Sequence, residues 1–243
     1  MSLEDSATVV TGASSGIGEA TAHELASRGA QVALAARSED RLTAIADDLE
    51  REYGAETLVV PTDVRDEAAV EDLIETAVDA FGGLDVLVNN AGLGRGGEVV
   101  DLSTEDYRAM MDTNVDGVFF ATRAALPHLE ATDGNLIFVG SFAGQYPRPG
   151  NPVYAATKWW VRGFAHGVEG QAGPDGVGVT VVNPTEVRTE FGGDDGDSFA
   201  ERFEPGEVSE PEEIADAIGF AAAQDHSTVH EIDVFRRDKF EGW

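Results

Sequence analysis

The chain has 243 residues, 42% of them hydrophobic, and no cysteine. That length fits one α/β domain with a sizeable core, and the lack of thiols excludes disulfides, cysteine nucleophiles and cysteine-ligated metals. With 46 acidic residues against 16 basic ones the formal charge is −30, which excludes a nucleic-acid partner that would need a basic footprint.

In chain order, Ala7-Thr8-Val9-Val10 is an apolar run that ends in Thr11-Gly12-Ala13-Ser14-Ser15-Gly16-Ile17-Gly18. A helical pattern with Ala20, Leu25 and Ala26 follows and is closed by Gly29. Residues 31–35 give the next strand, so the start reads as a βαβ unit, which requires a parallel sheet and a right-handed crossover. Ser38 is placed to cap a helix through Leu42, Ile45 and Leu49, and residues 57–60 form a strand. A helix starting near Asp66 runs to Phe81, and residues 84–88 form a strand. The Ser103-Thr104-Glu105-Asp106 start leads a helix into Met110 and Val115, and a further helical run spans 118–129. Residues 136–139 are a strand, the Tyr154 region a helix, and 177–182 a strand. The rhythm breaks over 183–209, a length typical of functional lids or of disordered segments, and a substrate lid is expected at 185–209. Residues 211–223 read as a helix capped by Ser209, and 231–235 as a last strand. This alternation predicts one Rossmann-type, doubly wound parallel sheet of about seven strands over residues 1–243, with no internal repeat.

No secretory signal opens the chain, and no apolar run approaches the roughly 18 residues of a membrane span, so a soluble, cytoplasmic protein is expected. The acids are spread along the chain, as in Glu50-Arg51-Glu52, Asp194-Asp195 and residues 210–213, not gathered in a tail. Such a surface repels itself until salt screens it. With only two lysines, Lys158 and Lys239, the composition resembles that of proteins from salt-accumulating halophiles. The histidines, at 23, 128, 166, 226 and 230, show no metal-ligand spacing, and no metal site is expected.

Three motifs carry chemistry. Gly12, Gly16 and Gly18 sit where the first strand passes into its helix, where a tight turn and unpaired helix amides suit a phosphate group. Gly12-Ala13-Ser14-Ser15-Gly16 also fits a nucleophile elbow, which would make Ser14 the nucleophile of a serine hydrolase; that elbow normally follows several strands, and here one precedes it. Tyr154 and Lys158 lie one helical turn apart on one face. A nearby ammonium brings a phenol, with its ordinary pKa of about 10, towards the working range. A lysine retained there, in a chain that has almost none, points to a required ammonium, for which arginine is a poor substitute.

Together these residues resemble the short-chain dehydrogenase/reductase family over nearly the whole chain. Its glycine motif is matched by Thr11-Gly12, Gly16 and Gly18, its structural motif by Asn89-Asn90-Ala91-Gly92, and its active-site set by Asn114, Ser141, Tyr154 and Lys158. Asp63-Val64 matches the family's adenine-contacting pair. One departure is Pro184-Thr185, where the family has Pro-Gly; Val187 and Thr189 keep the pattern beyond it. The resemblance implies interconversion of a carbonyl and a secondary alcohol by hydride transfer. Tyr154 would be the general acid or base and Lys158 would lower its pKa and bind the nicotinamide ribose. Ser141 would hold the substrate oxygen, and Asn114 would support a relay water. The cofactor would lie along Gly12, Ser14, Ser15, Gly16, Ile17, Gly18, Asp63, Val64, Asn90, Ala91, Gly92, Tyr154, Lys158, Pro184, Val187 and Thr189.

At the end of the second strand Ala36 replaces the carboxylate that an NAD enzyme uses on the ribose, and Arg37 follows. This favours NADP(H), with NAD(H) the alternative. The substrate is expected to be a small carbonyl or alcohol compound, such as a 3-hydroxy acid, contacted by Ser141, Phe142, Tyr146, Arg148 and Phe191. Arg148 or Arg188 either clamps a carboxylate or pairs on the surface. Trp159-Trp160 reads as core or subunit-interface packing, and the resemblance implies a homotetramer or homodimer through this helix. A non-catalytic nucleotide-sensing protein on the same fold is the alternative from a different class.

Overall fold

The computed structural model describes residues 3–193 and 196–241, so the Asp194-Asp195 pair, which falls inside the expected lid, lies outside the described residues. Seven strands form one sheet: β1 (Ala7–Thr11), β2 (Gln31–Ala36), β3 (Thr57–Pro61), β4 (Val86–Asn89), β5 (Asn135–Val139), β6 (Gly178–Pro184) and β7 (Glu231–Val234). Their order is β3-β2-β1-β4-β5-β6-β7, with every pairing parallel. The crossovers from β1 build outward through β2 to β3, and then β4 starts on the opposite side of β1. The strand order therefore reverses between β1 and β4, which is where such a sheet opens a ligand crevice.

Both faces of the sheet are covered, which is why the central strands read as unbroken apolar runs. Successive residues point to opposite faces: Val10, Val32, Leu34 and Ile137 join one core with Leu25, Leu42, Leu49 and Ile218. Val9, Ala33, Ala35 and Phe138 join the other with Leu73, Ile74, Leu129 and Val161. The helices on the first face are α1 (Gly16–Ser27), α2 (Glu39–Tyr53) and α8 (Pro211–Ala222), and those on the second are α3 (Glu67–Phe81), α5 (Gly117–Thr132) and α6 (Pro152–Ala172).

Local chemistry sets the helix ends. Asp66 caps α3 by accepting from the Ala68 and Ala69 amides, and Ser103 caps α4 (Thr104–Met111) by accepting from Asp106. Ser38 occupies the cap position of α2 without bonding through its side chain. The expected Ser209 cap is not used: Glu210 caps α8 in a reciprocal box with Glu213. Ser209 is instead buried, bridging Val187 and accepting the Arg188 amide through its carbonyl.

Two breaks in regularity lie outside the sequence reading. A π turn (Asp112–Asp116) joins α4 to α5 around Asn114, a distortion that often marks functional positions. The segment expected to be a loop over 183–209 contains α7 (Phe199–Arg202), started by a Ser198/Glu201 capping box.

Candidate active site

A cleft of about 1250 Å³ opens at the carboxyl ends of β1 and β4. Thr11 and Asn90 tie these two strand ends together. Asn90 donates to the Thr11 carbonyl at 2.8 Å and the Gly12 carbonyl at 3.1 Å, while the Thr11 hydroxyl accepts from the Asn90 and Ala91 amides. Gly12 has a φ of 66°, and a Cβ there would come within 2.9 Å of the Ala91 Cα. Ser14, Ser15, Gly16 and Ile17 line the cleft beside Ala91 and Gly92. Gly18 does not: a Cβ there would sit 2.2 Å from the Gly12 carbonyl oxygen, so its role is to seat α1 against the turn, not to touch a ligand. A backbone cradle that a single methyl group would fill, facing the α1 N-terminus, fits a dinucleotide pyrophosphate.

At the far end of that cradle Ala36 is buried and leaves no carboxylate at the β2 terminus. Arg37 is exposed and lines the cleft with Ser38, Arg41, Asp63, Val64 and Arg65. Arg65 grips the Asp63 carboxylate at 2.5 Å, and this hydrogen bond holds the carboxyl below its ordinary pKa. Arg41 reaches across the opening to Glu190 at 2.8 Å. Ser38 and Arg41 were not anticipated; their signal is helical phase, since α2 begins beside Arg37 and puts both side chains on the cleft.

The reacting end is built by β5 and α6. Ser141 leaves β5 in extended backbone and accepts the Ala143 amide at 3.1 Å. Asn151 caps α6 on the Tyr154 amide, which fixes the tyrosine in the first turn. Burial pushes the Tyr154 phenol up to about 12, while a hydrogen bond from Ser141 and the Arg148 charge pull in the opposite direction. Lys158 is 6% exposed, and burial pushes its ammonium down to about 8. Its Nζ donates to the Val139 carbonyl at 2.8 Å and lies 5.9 Å from the Tyr154 ring centre. In the resting chain the ammonium is turned to the Val139 carbonyl, and desolvation is the largest influence on the phenol.

Asn114 does not face the cleft. Its amide donates to the Leu93 carbonyl at 2.8 Å and the Thr157 hydroxyl at 3.1 Å, and its carbonyl accepts the Leu93 amide at 2.9 Å. Thr157 donates in turn to the Tyr154 carbonyl at 2.7 Å. The Asn114 side chain thus clamps the loop after β4 to α6. Thr157, an unassigned position inside the Tyr-to-Lys turn, is the partner that sequence reasoning missed.

Among the expected substrate residues, Phe142, Arg148 and Phe191 line the cleft. Phe191 meets the Tyr154 ring at 5.7 Å between centres. Tyr146 is not on the lining; it stacks on Phe142 at 4.3 Å and supports that ring from behind. Arg188 pairs with Glu210 at 3.0 Å and is off the cleft, which removes it as a clamp. Pro184, Thr185, Val187 and Thr189 line the wall after β6. No histidine lines the cleft that Ser14 enters, so the elbow reading lacks its base. Away from the cleft, α6 and β7 bring His166, His230 and Glu231 within 4.8 Å of one another, a grouping that sequence spacing could not show. None of the described helices is long and apolar enough to cross a membrane.

The comparisons with known proteins agree with this architecture. A family model described as short chain dehydrogenase matches residues 6–198. An uncharacterized oxidoreductase of Staphylococcus aureus (strain MRSA252) is 36% identical over 236 residues, 96% of this chain and 97% of that protein. An alcohol dehydrogenase from the archaeon Thermococcus sibiricus, solved with 5-hydroxy-NADP, superposes with a TM-score of 0.88 at 33% identity, covering 95% of this chain and 96% of that one. The closed form of a serine dehydrogenase complexed with NADP+ gives 0.86 at 32% identity, covering 94% of each chain. With the reversal-point cleft, the glycine cradle and a family match over most of the sequence, the chain belongs to the short-chain dehydrogenases and is an oxidoreductase of that family.

Proposed function

We propose that the protein interconverts a small carbonyl compound and its secondary alcohol with NADP(H). The observation that carries this reading is convergence: Ser141, Tyr154 and Lys158 share one cleft with the glycine cradle and Arg37. A dinucleotide laid along the cradle would place its nicotinamide between Thr189 and Tyr154 and its adenosine ribose towards Arg37. The bound nicotinamide supplies or accepts the hydride. In reduction Tyr154 donates its phenolic proton to the substrate oxygen, since a phenol with an ordinary pKa of about 10 carries that proton at neutral pH. Ser141 donates a hydrogen bond to the same oxygen and orients it. Lys158 holds the nicotinamide ribose and offsets negative charge as the proton leaves Tyr154. Asn114, through Thr157, is a positioning residue for α6. The preference for NADP(H) rests on Arg37 with Ala36 behind it, and solved relatives that carry NADP support it.

The remaining parts of the reading follow from surface and composition. The segment over 185–209 acts as the lid, with Phe191 closing on Tyr154 and Phe199 behind it. Phe119 and Trp159 are exposed on the outer faces of α5 and α6, and we read this apolar face as the subunit contact of a homodimer or homotetramer. The net charge of −30 fits a salt-rich cytosol. Incubation with NADPH deuterated at the transferable C4 position and a carbonyl panel tests the reaction itself. One deuterium at the carbinol carbon of a product is expected; no product from any carbonyl, with NADPH nevertheless bound, would favour a sensing protein.

A further inference from the structure

The chain has two lysines, and both line the cleft. Lys158 is used by the proposed reaction; Lys239 is not, although it is 7% exposed. A buried ammonium is costly unless held by charge or ligand, and a composition that has nearly eliminated lysine has kept this one. Its Nζ sits 2.7 and 2.9 Å from the two Glu186 oxygens and 4.5 Å from the centre of the Phe142 ring.

The segment that carries Lys239 is held on the cleft by the position where this chain departs from the family motif. Thr185 donates its amide to the Val234 carbonyl, and its hydroxyl accepts the Arg236 amide at 3.0 Å. A glycine would lack that hydroxyl. Phe235 and Phe240 then pack on Phe142 at 5.3 and 6.1 Å. Residues 235–240 are thereby anchored beside the cleft, with Lys239 on its lining.

Charge here does not balance locally. Lys239, Arg148 at 3.6 Å and Arg236 at 3.8 Å all share the single carboxylate of Glu186, and Arg236 also meets Asp238 at 3.2 Å. Three cations against two anions leave a positive excess in a chain of net charge −30. Arg148 is also close enough to Tyr154 for its charge to act on the phenol. The surface as a whole repels an anionic ligand, so only cations in contact could hold one here, and a desolvated contact survives the salt that screens the surface.

We propose that Lys239 and Arg148 bind an anionic group on the substrate, so that the enzyme's substrates are carbonyl or hydroxy compounds bearing a carboxylate. This rests on the reductase reading above and names its substrate class. Glu186 positions Lys239, and Thr185 positions the segment that delivers it.

The test pairs 2-, 3- and 4-oxo acids with their methyl esters and compares wild type with Lys239→Gln/Glu186→Gln, a double variant that removes both members of the buried pair, leaving Arg236 with Asp238 and Arg148 without a carboxylate. Wild type is expected to favour at least one acid over its ester by about tenfold or more in kcat/KM, the scale of one hydrogen bond to a charged group. In the double variant that ratio should fall towards one, with the ester rate and NADPH affinity held within about threefold as the check on folding and cofactor site. Lys239→Arg should keep most of the preference. An unchanged acid-to-ester ratio in the double variant would make the pair a structural tether and overturn the proposal, as would a wild type that prefers every ester; both results leave the reductase reading standing. Failure of wild type to turn over any acid or ester would overturn both.

Discussion

Replacing Arg37 with Ala should separate the two nicotinamide cofactors. The guanidinium is exposed at the end of the cradle, so part of its attraction to a 2′-phosphate is screened by solvent and salt. A hydrogen bond to a charged group contributes about 1.5–3 kcal/mol when well formed; with discounting for exposure and screening, about 1–2 kcal/mol remains. That corresponds to roughly fivefold to thirtyfold weaker NADPH binding. Arg41 cannot simply take over, because it is engaged with Glu190 across the opening. NADH has no group for Arg37 to meet, and its affinity should change by less than about twofold. Titration of both cofactors by nicotinamide fluorescence, for both proteins and at molar and submolar salt, gives four dissociation constants at each salt concentration. Equal weakening of NADH and NADPH would mean that Arg37 shapes the cleft and does not read the phosphate, and tighter NADH binding by wild type would refute the NADP(H) preference.

Lys158→Met should abolish turnover yet stabilise the free protein. Burial lowers the lysine from 10.5 to about 8, so between those values the unfolded chain binds the extra proton and stability rises with pH; below about 8 the folded chain carries the full desolvation cost. Removing the ammonium should therefore raise the melting temperature by a few degrees at pH 7 and by less at pH 10; a lower melting point at pH 7 would contradict this. Thr185→Gly removes the hydroxyl that accepts the Arg236 amide. A loss of about 1 kcal/mol is expected, with faster hydrogen exchange confined to the C-terminal segment; unchanged exchange there would show that Thr185 does not hold it. Raising KCl from about 0.1 to 2 M should increase the melting temperature steeply as the net charge of −30 is screened, and a flat response would remove the halophilic reading.

The strands and crossovers were legible because each central strand is buried on both faces and each helix carries one apolar stripe, patterns that are local in sequence. Gly12, Ser141, Tyr154 and Lys158 were legible as a spaced set, and the structure gathers them in one cleft. What was not legible depends on contacts between distant segments. Burial is the largest influence on the Tyr154 phenol, a property no spacing reveals, and the Lys158 ammonium is bonded to the Val139 carbonyl. Asn114 spends its amide on Leu93 and Thr157, and the π turn that presents it has no compositional mark. Tyr146 is off the cleft lining and stacks on Phe142, which is on it, a contact that no spacing reveals. Ser209 looked like a cap because serine often is one, but its backbone was already claimed by Val187 and Arg188. Lys239 sits in a short segment without periodicity; the scarcity of lysine that drew attention to Lys158 applied to it equally.

The central claim is that Tyr154 transfers the proton while the cofactor transfers the hydride. The most direct measurement is NADPH oxidation against a carbonyl panel by wild type and Tyr154→Phe, with NADPH affinity measured on both proteins. The account predicts that the variant binds NADPH about as well as wild type and loses on the order of a hundredfold or more in kcat with every carbonyl that wild type reduces. A Tyr154→Phe protein that retains wild-type kcat would contradict it.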